Sequence, residues 1–474
     1  MDLAVDLSAR GDRSTAIYRA LLDAIRSGRL GSGDRLPPTR ELAADLGVSR
    51  NTVATAYERL VAEGYLEARV GAGTFVTGAG GATRPRRRAA ALRPRRSWHF
   101  TPLPVSGQSP KPAHDFRVGI PDANLFPFDT WRRLVAAELR AGAHSPGTYA
   151  DPAGHPSLRD AIARYLALSR GLEADADDVL VTHGTQQALD LVARVLVEPG
   201  DVVAVEDPGY PFAREVFASY GAHVARVRVD DDGLVVDEIP ERARLVFTTP
   251  SHQFPLGPPL ALERRLALLE FADRHRVAVV EDDYDSEFRF TERPLETLHA
   301  LDRAGRVIYV GTFSKSLVPA LRAGYLVAPP TLVPALRGAR QLADGYGPVA
   351  EQAALARFLS DGLFARHLRR ARGVYGERRA LVVDALDTSL VRHLARVPSA
   401  AGLHVAALLR DLAVSDHEVA AIAATEGVAV EALSGYGGSG PGLVFGYGAA
   451  ETSSITPGLQ RLRRILDRGG ARSR

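Results

Sequence analysis

The chain has no cysteine. That excludes disulfides, thiolate catalysis and cysteine-bound zinc together, and it is compatible with a cytoplasmic protein. The one methionine is residue 1. No apolar run is long enough to span a bilayer, and no basic-then-apolar leader opens the chain, so no membrane role is expected. The formal net charge is only +3, which by itself does not point to nucleic acid. Lysine is nearly missing: Lys111 and Lys315 stand alone among 59 basic residues. What is present is ordinary for a globular protein, with 46% hydrophobic and 24% charged residues. At 474 residues the chain is too long for one core, and about three lobes are expected.

The basic residues are unevenly spread. Seven arginines and no acid fall between Arg84 and Arg96. Gly78 to Gly81 precede this stretch, and Pro102, Pro104, Pro110 and Pro112 follow it. No helical or strand period survives, so 78–113 reads as a semi-extended, self-repelling linker. Its charge is either merely solvated or available to phosphate.

Residues 1–77 form a compact unit ahead of it. Ile17, Leu21 and Ile25 repeat at helical spacing up to Gly28. Leu36-Pro37-Pro38-Thr39 opens a second helix, with Leu42 and Leu46 on one face and Gly47 as stop. Ser49 caps a third, in which Val53, Tyr57 and Leu60 face inward up to Gly64. Two short strands, 65–70 and 74–77, flank Gly71-Ala72-Gly73. This pattern spells a winged helix-turn-helix whose third helix fits a major groove. Ser49, Arg50 and Thr52 stand at that helix's N-terminal end. Arginine reads guanine with two hydrogen bonds, and hydroxyls bind phosphate or base edges. Arg40 is placed for a phosphate contact, and Gly71 and Gly73 let the wing turn tightly and approach DNA. Ten arginines balance ten acids here, which keeps a small interaction domain as the alternative. The run Leu36-Pro37-Pro38-Thr39-Arg40-Glu41-Leu42-Ala43, Leu46-Gly47-Val48-Ser49-Arg50-Asn51-Thr52-Val53, Gly64-Tyr65-Leu66 and Gly71-Ala72-Gly73-Thr74-Phe75-Val76 resembles the GntR-type winged helix. That resemblance implies double-stranded operator DNA as partner, met by Arg40, Arg50, Thr52 and the wing at Gly73.

Residues 114–474 alternate helical and strand patterns. Val179 to Val181, Val202 to Val205, Leu245 to Phe247, Val277 to Val280, Val307 to Val310 and Leu326-Val327 are short β-rich runs with helical segments between several of them. A mostly parallel α/β large lobe over about 150–340 is predicted, followed by a small α+β lobe over about 345–474.

Lys315 lies in Gly311-Thr312-Phe313-Ser314-Lys315-Ser316-Leu317, seven residues before Arg322. Arginine cannot replace a lysine whose neutral amine must attack an aldehyde. Either this lysine is a surface residue that escaped drift, or it carries pyridoxal 5′-phosphate (PLP) as an imine. PLP needs five things: an amine, a carboxylate for the pyridinium nitrogen, a partner for O3′, a ring to stack on and a phosphate cup. Candidates exist for each. Asp282 and Tyr284 follow a buried strand in Glu281-Asp282-Asp283-Tyr284-Asp285-Ser286-Glu287; this acidic cluster has metal binding as its alternative. Gly184-Thr185-Gln186 opens a helix whose free N–H groups favour phosphate, and Thr312, Ser314 and Arg322 would complete the cup. Tyr210 is placed to cover the ring, or simply to pack.

In this fixed order the motifs of 114–466 resemble the fold-type I aminotransferases. Further matching segments are Tyr149-Ala150-Asp151-Pro152-Ala153-Gly154 and Thr249-Pro250-Ser251-His252-Gln253-Phe254-Pro255-Leu256-Gly257. The whole chain resembles the MocR subfamily of GntR regulators. The last segment replaces the Asn-Pro-Thr-Gly turn of true aminotransferases and leaves His252 or Gln253 as the O3′ partner. By the same resemblance Tyr149 reaches the phosphate of a neighbouring subunit, in a domain-swapped, head-to-tail homodimer. One position departs: Val444 falls at about the place of the arginine that grips a substrate α-carboxylate. A PLP-dependent transcriptional regulator sensing PLP or a small effector is therefore expected, with transamination weak or absent. The alternatives are an aminotransferase with an accessory DNA-binding domain and a DNA-binding protein with an inert dimerisation scaffold.

Overall fold

The structure, a computed structural model, describes residues 12–78, 98, 100, 112–140, 148–290, 296–411, 415–438 and 440–470. The whole Arg84–Arg96 stretch lies outside them. The chain divides into two compact units, Met1–Arg95 and Arg96–Arg474.

In the first unit, α1 (Arg13–Arg26) starts where the Asp12 carboxylate accepts the Ser14 N–H at 3.0 Å. It buries Ile17, Leu21 and Ile25 against α3 (Arg50–Ala62), which contributes Val53, Tyr57 and Leu60. Between them α2 (Thr39–Asp45) follows Pro37-Pro38, and the Tyr57 hydroxyl donates to the Pro37 carbonyl at 2.9 Å, tying α3 to that entry. Ser49 caps α3, its hydroxyl accepting the Thr52 N–H at 3.2 Å, a contact worth about 1 kcal/mol. Strands β1 (Leu66–Arg69) and β2 (Gly73–Val76) pair antiparallel as the wing.

The second unit opens with β3 (His114–Asp115). A large sheet follows: β4 (Val179–Thr182), β5 (Val202–Asp207), β6 (His223–Asp230), β7 (Gly233–Leu234), β8 (Ala243–Thr248), β9 (Ala278–Asp283), β10 (Val307–Thr312) and β11 (Gly324–Val327). Their spatial order is β4-β11-β10-β9-β8-β5-β6-β7. The pairs from β10 through to β6 are parallel, while β11 and β7 run antiparallel to their neighbours. Both faces are covered. Ala188, Leu189 and Val192 of the helix Thr185–Leu196 pack on Val203, Phe247 and Ile308. Leu268 and Ala272 of the helix Leu262–His275 pack on Val246, Val279 and Val307 from the other side. Burial on both faces explains why these strands are continuous apolar runs.

The small lobe has β12 (Leu394–Arg396), β13 (His404–Leu409), β14 (Val428–Ala429), β15 (Glu431–Ala432) and β16 (Gly442–Gly446), with β12-β13-β16-β15 as one sheet. The helices Leu363–Asp387, Asp416–Thr425 and Thr452–Gly470 accompany it. β14 pairs with β3 in parallel, so the first strand of the unit belongs to the small lobe rather than to the large sheet. The architecture is a winged helix-turn-helix plus a fold-type I α/β unit with a small α+β lobe.

Candidate functional site

The parallel strands end at one edge of the large sheet, where open α/β folds place their ligands. Asp282 stands at the end of β9, Thr312 at the end of β10, and Gly184 two residues beyond β4.

Asp282 is 4% exposed. The hydroxyl of Thr185 donates to it at 3.4 Å. Burial, and then the neighbouring Asp283, push its pKa up to about 8, against a smaller downward pull from Thr185 and Lys315. Asp283 has its cation: Arg170 approaches at 2.9 Å, and the Tyr309 hydroxyl donates at 2.6 Å. Among the described residues no ion pair joins Asp282 to an arginine or lysine. A buried carboxylate of this kind has use for a cation brought by a ligand.

The Lys315 amine donates to the Gly119 carbonyl at 2.7 Å. Surrounding protein lowers its pKa, while Asp285, Asp282 and Glu431 pull the other way. The net lowering makes the neutral amine, the form that attacks an aldehyde, easier to reach than in an exposed lysine.

Gly184 has φ +87°, and a Cβ there would come within 3.7 Å of the Arg322 guanidinium. Arg322 is itself in the left-handed region, φ +47°, and donates to the His183 carbonyl at 2.5 Å. Thr185 and Gln186 are the first two residues of the helix that follows. The Thr312 hydroxyl donates to Ser314 Oγ at 3.0 Å and accepts the Ser314 N–H at 3.1 Å. A glycine-lined helix N-terminus, an arginine and two hydroxyls thus make an anion cradle.

The segment from 249 to 257 is pinned on Glu206, whose carboxylate accepts from Thr248 Oγ1 at 2.5 Å and from the Thr249 N–H at 2.9 Å. Gln253 corrects its expected role. Its amide nitrogen donates to Glu206, Pro208 O and Phe254 O, its oxygen accepts the Leu256 N–H, and it is 1% exposed. The side chain is spent on holding the turn and presents no free group to a ligand. His252 is the residue connected to Tyr284. Its Nδ1 is 3.0 Å from Asp285 and 2.9 Å from the Tyr284 hydroxyl, and its Nε2 is 3.1 Å from Ser399 Oγ. With the Asp285 carboxylate as acceptor, Nδ1 carries the hydrogen and has no lone pair for Tyr284, which leaves the tyrosine proton free to be donated elsewhere. His252, Asp285 and His404 bring donor atoms within 4.8 Å of one another. His404 Nε2 donates to Pro255 O at 3.0 Å, since a carbonyl can only accept, and burial holds the His404 pKa well below the usual range.

Tyr210 lies edge-on to Phe254 at 5.9 Å, and Phe254 in turn meets Tyr284 at 5.9 Å and Tyr436 at 5.0 Å. Tyr149 is 94% exposed, apart from these groups, with its ring 6.3 Å from Tyr346.

In the first unit Arg40, Ser49 and Arg50 are exposed and Thr52 is half-buried. The Ser49 and Thr52 hydroxyls are 2.8 Å apart, and Arg50 Nε reaches Thr39 Oγ1 at 3.4 Å. Gly73, at φ +119°, has a further reason to be glycine: a Cβ would fall 2.9 Å from Arg35 Nε. Arg35, which pairs by a β-bridge with Phe75, carries no signal in the sequence, since no motif spacing singles it out.

The comparisons with known proteins agree with this anatomy. Residues 13–76 match the bacterial regulatory proteins of the gntR family, and residues 122–442 match aminotransferase class I and II. The fold and site define a DNA-binding unit joined to an aminotransferase-like unit, a combination that implies PLP. The chain belongs to the MocR-type GntR transcriptional regulators. It is 40% identical over 475 residues to the probable rhizopine catabolism regulatory protein MocR of Rhizobium meliloti, covering 97% of this chain and 95% of that one. It is 34% identical to the pyridoxine biosynthesis transcriptional regulator PdxR of Corynebacterium glutamicum, covering 93% and 94%. Among solved structures it is similar to the kynurenine aminotransferase of Pyrococcus horikoshii, at 28% identity and a TM-score of 0.69, covering 75% of this chain and 90% of that one. No helix among the described residues is long and apolar enough to cross a membrane.

Proposed function

We propose that this regulator holds PLP on Lys315 and that occupancy of this site, by PLP or by a small effector, sets its affinity for an operator. The observation that carries the reading is the buried Asp282 carboxyl, with no arginine or lysine paired to it among the described residues, on the same site as a lysine whose pKa is lowered by burial. The residues fit the group. Bound there, PLP supplies an aldehyde for a primary amine and a cationic ring nitrogen. Asp282 would face that nitrogen, Tyr284 would donate to O3′ with His252 and Asp285 behind it, and Tyr210 would cover the ring. Gly184, Thr185, Gln186, Thr312, Ser314 and Arg322 would hold the phosphate, joined by Tyr149 of a second copy in a head-to-tail, domain-swapped homodimer. Arg40, Ser49, Arg50, Thr52 and the wing at Gly73 would meet the operator, which places the protein's work in the cytoplasm.

The aminotransferase reading has one observation against it: Val444 is fully buried where a carboxylate clamp is expected. Three arginines that could replace it have other partners. Arg378 pairs with Asp122 at 2.6 Å, Arg372 donates to Glu287 O at 2.8 Å, and Arg214 is 3.4 Å from Glu215.

Borohydride reduction of the PLP-treated protein, followed by peptide mass mapping, tests the reading. The cofactor's mass should appear on the peptide containing Lys315, and Lys315→Ala should show neither that mass nor a visible absorption band. A protein that stays colourless with added PLP defeats it.

A further inference from the structure

Resting on the reading that Lys315 carries PLP, we infer that the effector is a primary amine without a carboxylate, whose far end donates hydrogen bonds to Glu431. Glu431 on β15 is paired directly with Val444 on β16. Directly opposed residues of an antiparallel pair project from the same face of the sheet. The position that would hold a cationic clamp is therefore apolar, and its cross-strand neighbour is an acid.

Glu431 belongs to the Lys315 site by its contacts. Its carboxylate accepts the Val118 N–H at 2.8 Å, and the next residue, Gly119, accepts from the Lys315 amine at 2.7 Å. The Tyr436 hydroxyl donates to the other carboxylate oxygen. Two bonds leave acceptor capacity, because an ionised carboxylate has about four lone-pair sites. Tyr436 joins the aromatic group through Phe254, which is 5.9 Å from both Tyr210 and Tyr284. A carboxylate beside aromatic rings suits a cation or hydroxyl donor and repels an anion. Of the nearby arginines, Arg117 is paired with Asp115 at 2.7 Å while also lying in the field of Glu431, Arg378 is paired with Asp122, and Arg379 donates to Ser399 O.

A matched four-carbon series tests this: putrescine, aminobutanol, butylamine and γ-aminobutyrate. Each is titrated into full-length, PLP-loaded protein, following the visible band and, in parallel, affinity for the upstream promoter DNA. Putrescine or aminobutanol should act at concentrations roughly 10- to 100-fold below butylamine, the worth of a hydrogen bond to a charged group, with γ-aminobutyrate the weakest. Which of the two leads tells whether charge or a hydroxyl is read. Glu431→Gln should erase the preference, with circular dichroism and melting temperature checking the fold. Val444→Arg, a second route, should raise the rank of γ-aminobutyrate. A response led by γ-aminobutyrate, an equal or absent response to all four, or an unchanged preference in Glu431→Gln overturns the inference. A protein that never shows the band fails earlier, at the Lys315 reading, and the two failures are thereby distinct.

Discussion

Gly119 and Lys315, 196 residues apart in sequence, meet so closely that the glycine has no room for a side chain. A Cβ at Gly119 would lie 2.8 Å from Lys315 Nζ, at a φ of +78°. Gly119→Ala must displace the amine or strain the backbone, at a cost of roughly 1–3 kcal/mol. PLP retention should fall by about tenfold or more, read as loss of the visible band on dialysis. Wild-type retention in the alanine variant would show that the contact has no bearing on the cofactor.

The Asp282 carboxyl gives a pH dependence of definite sign. Its ordinary pKa is about 4, and in the folded chain it is pushed up to about 8. Between these values the native state keeps a proton that the unfolded chain has released, so this group makes stability fall as pH rises through the window. Cofactor-free Asp282→Asn should melt above the wild type near about pH 8, with the gap closing toward about pH 4. PLP should reverse the ranking near neutrality, because its ring cation stabilises the ionised aspartate and has less to gain from the amide. Melting curves with and without PLP measure both effects.

His252→Phe keeps a ring but removes the link between Asp285 and Tyr284. Asp285 retains the Leu403 N–H at 3.3 Å, so the expected destabilisation is that of one lost buried partner, about 1–3 kcal/mol. Tyr284 should lose its fixed orientation, and the visible band of the loaded protein should shift relative to wild type. Denaturant titration and an absorption spectrum separate the two consequences; a destabilised protein with an unmoved spectrum would confine His252 to a structural role.

At the DNA unit, Arg50→Ala should cost roughly 1–3 kcal/mol in operator affinity and relax the preference at one base pair, the behaviour of a two-bond guanine contact. Arg40→Ala should weaken binding to all sequences alike and flatten the salt dependence, as a phosphate contact does. Binding isotherms on operator and scrambled duplexes at two salt concentrations tell these apart. Promoter affinity that survives removal of residues 1–77 would rule out the reading.

The legible parts of the fold are those where local pattern and tertiary burial coincide. Val202 to Val205 and Val307 to Val310 are apolar throughout because both faces of their strands are covered. β6 (His223–Asp230) escaped notice because only Val227 and Val229 along it are fully buried, so no apolar run announces it. The helix Thr452–Gly470 is hidden by Pro457 and by the two serines and two threonines of its first turns, although Ile455, Leu459, Leu462 and Ile465 fall on one buried stripe. For the site, residue types at strand ends could be read from motifs. Gly119 and Glu431 could not, since each matters only through a partner far away in sequence, and Gln253 was misplaced because the amide bonds that occupy it come from a turn whose shape no spacing reveals.

The pairing of β3 with β14 has a mechanical consequence. His114 and Phe116 donate their N–H groups to the carbonyls of Gly427 and Ala429, and the Phe116 carbonyl accepts the Gly446 N–H. Residues 114–116 are therefore moored to the small lobe. Three residues beyond Phe116, the same ribbon ends against the Lys315 amine. Residues 114–119 form a six-residue strap with the small lobe at one end and that lysine at the other. The Lys315 site and the pairing of β3 with β14 are thus joined by one short run of backbone.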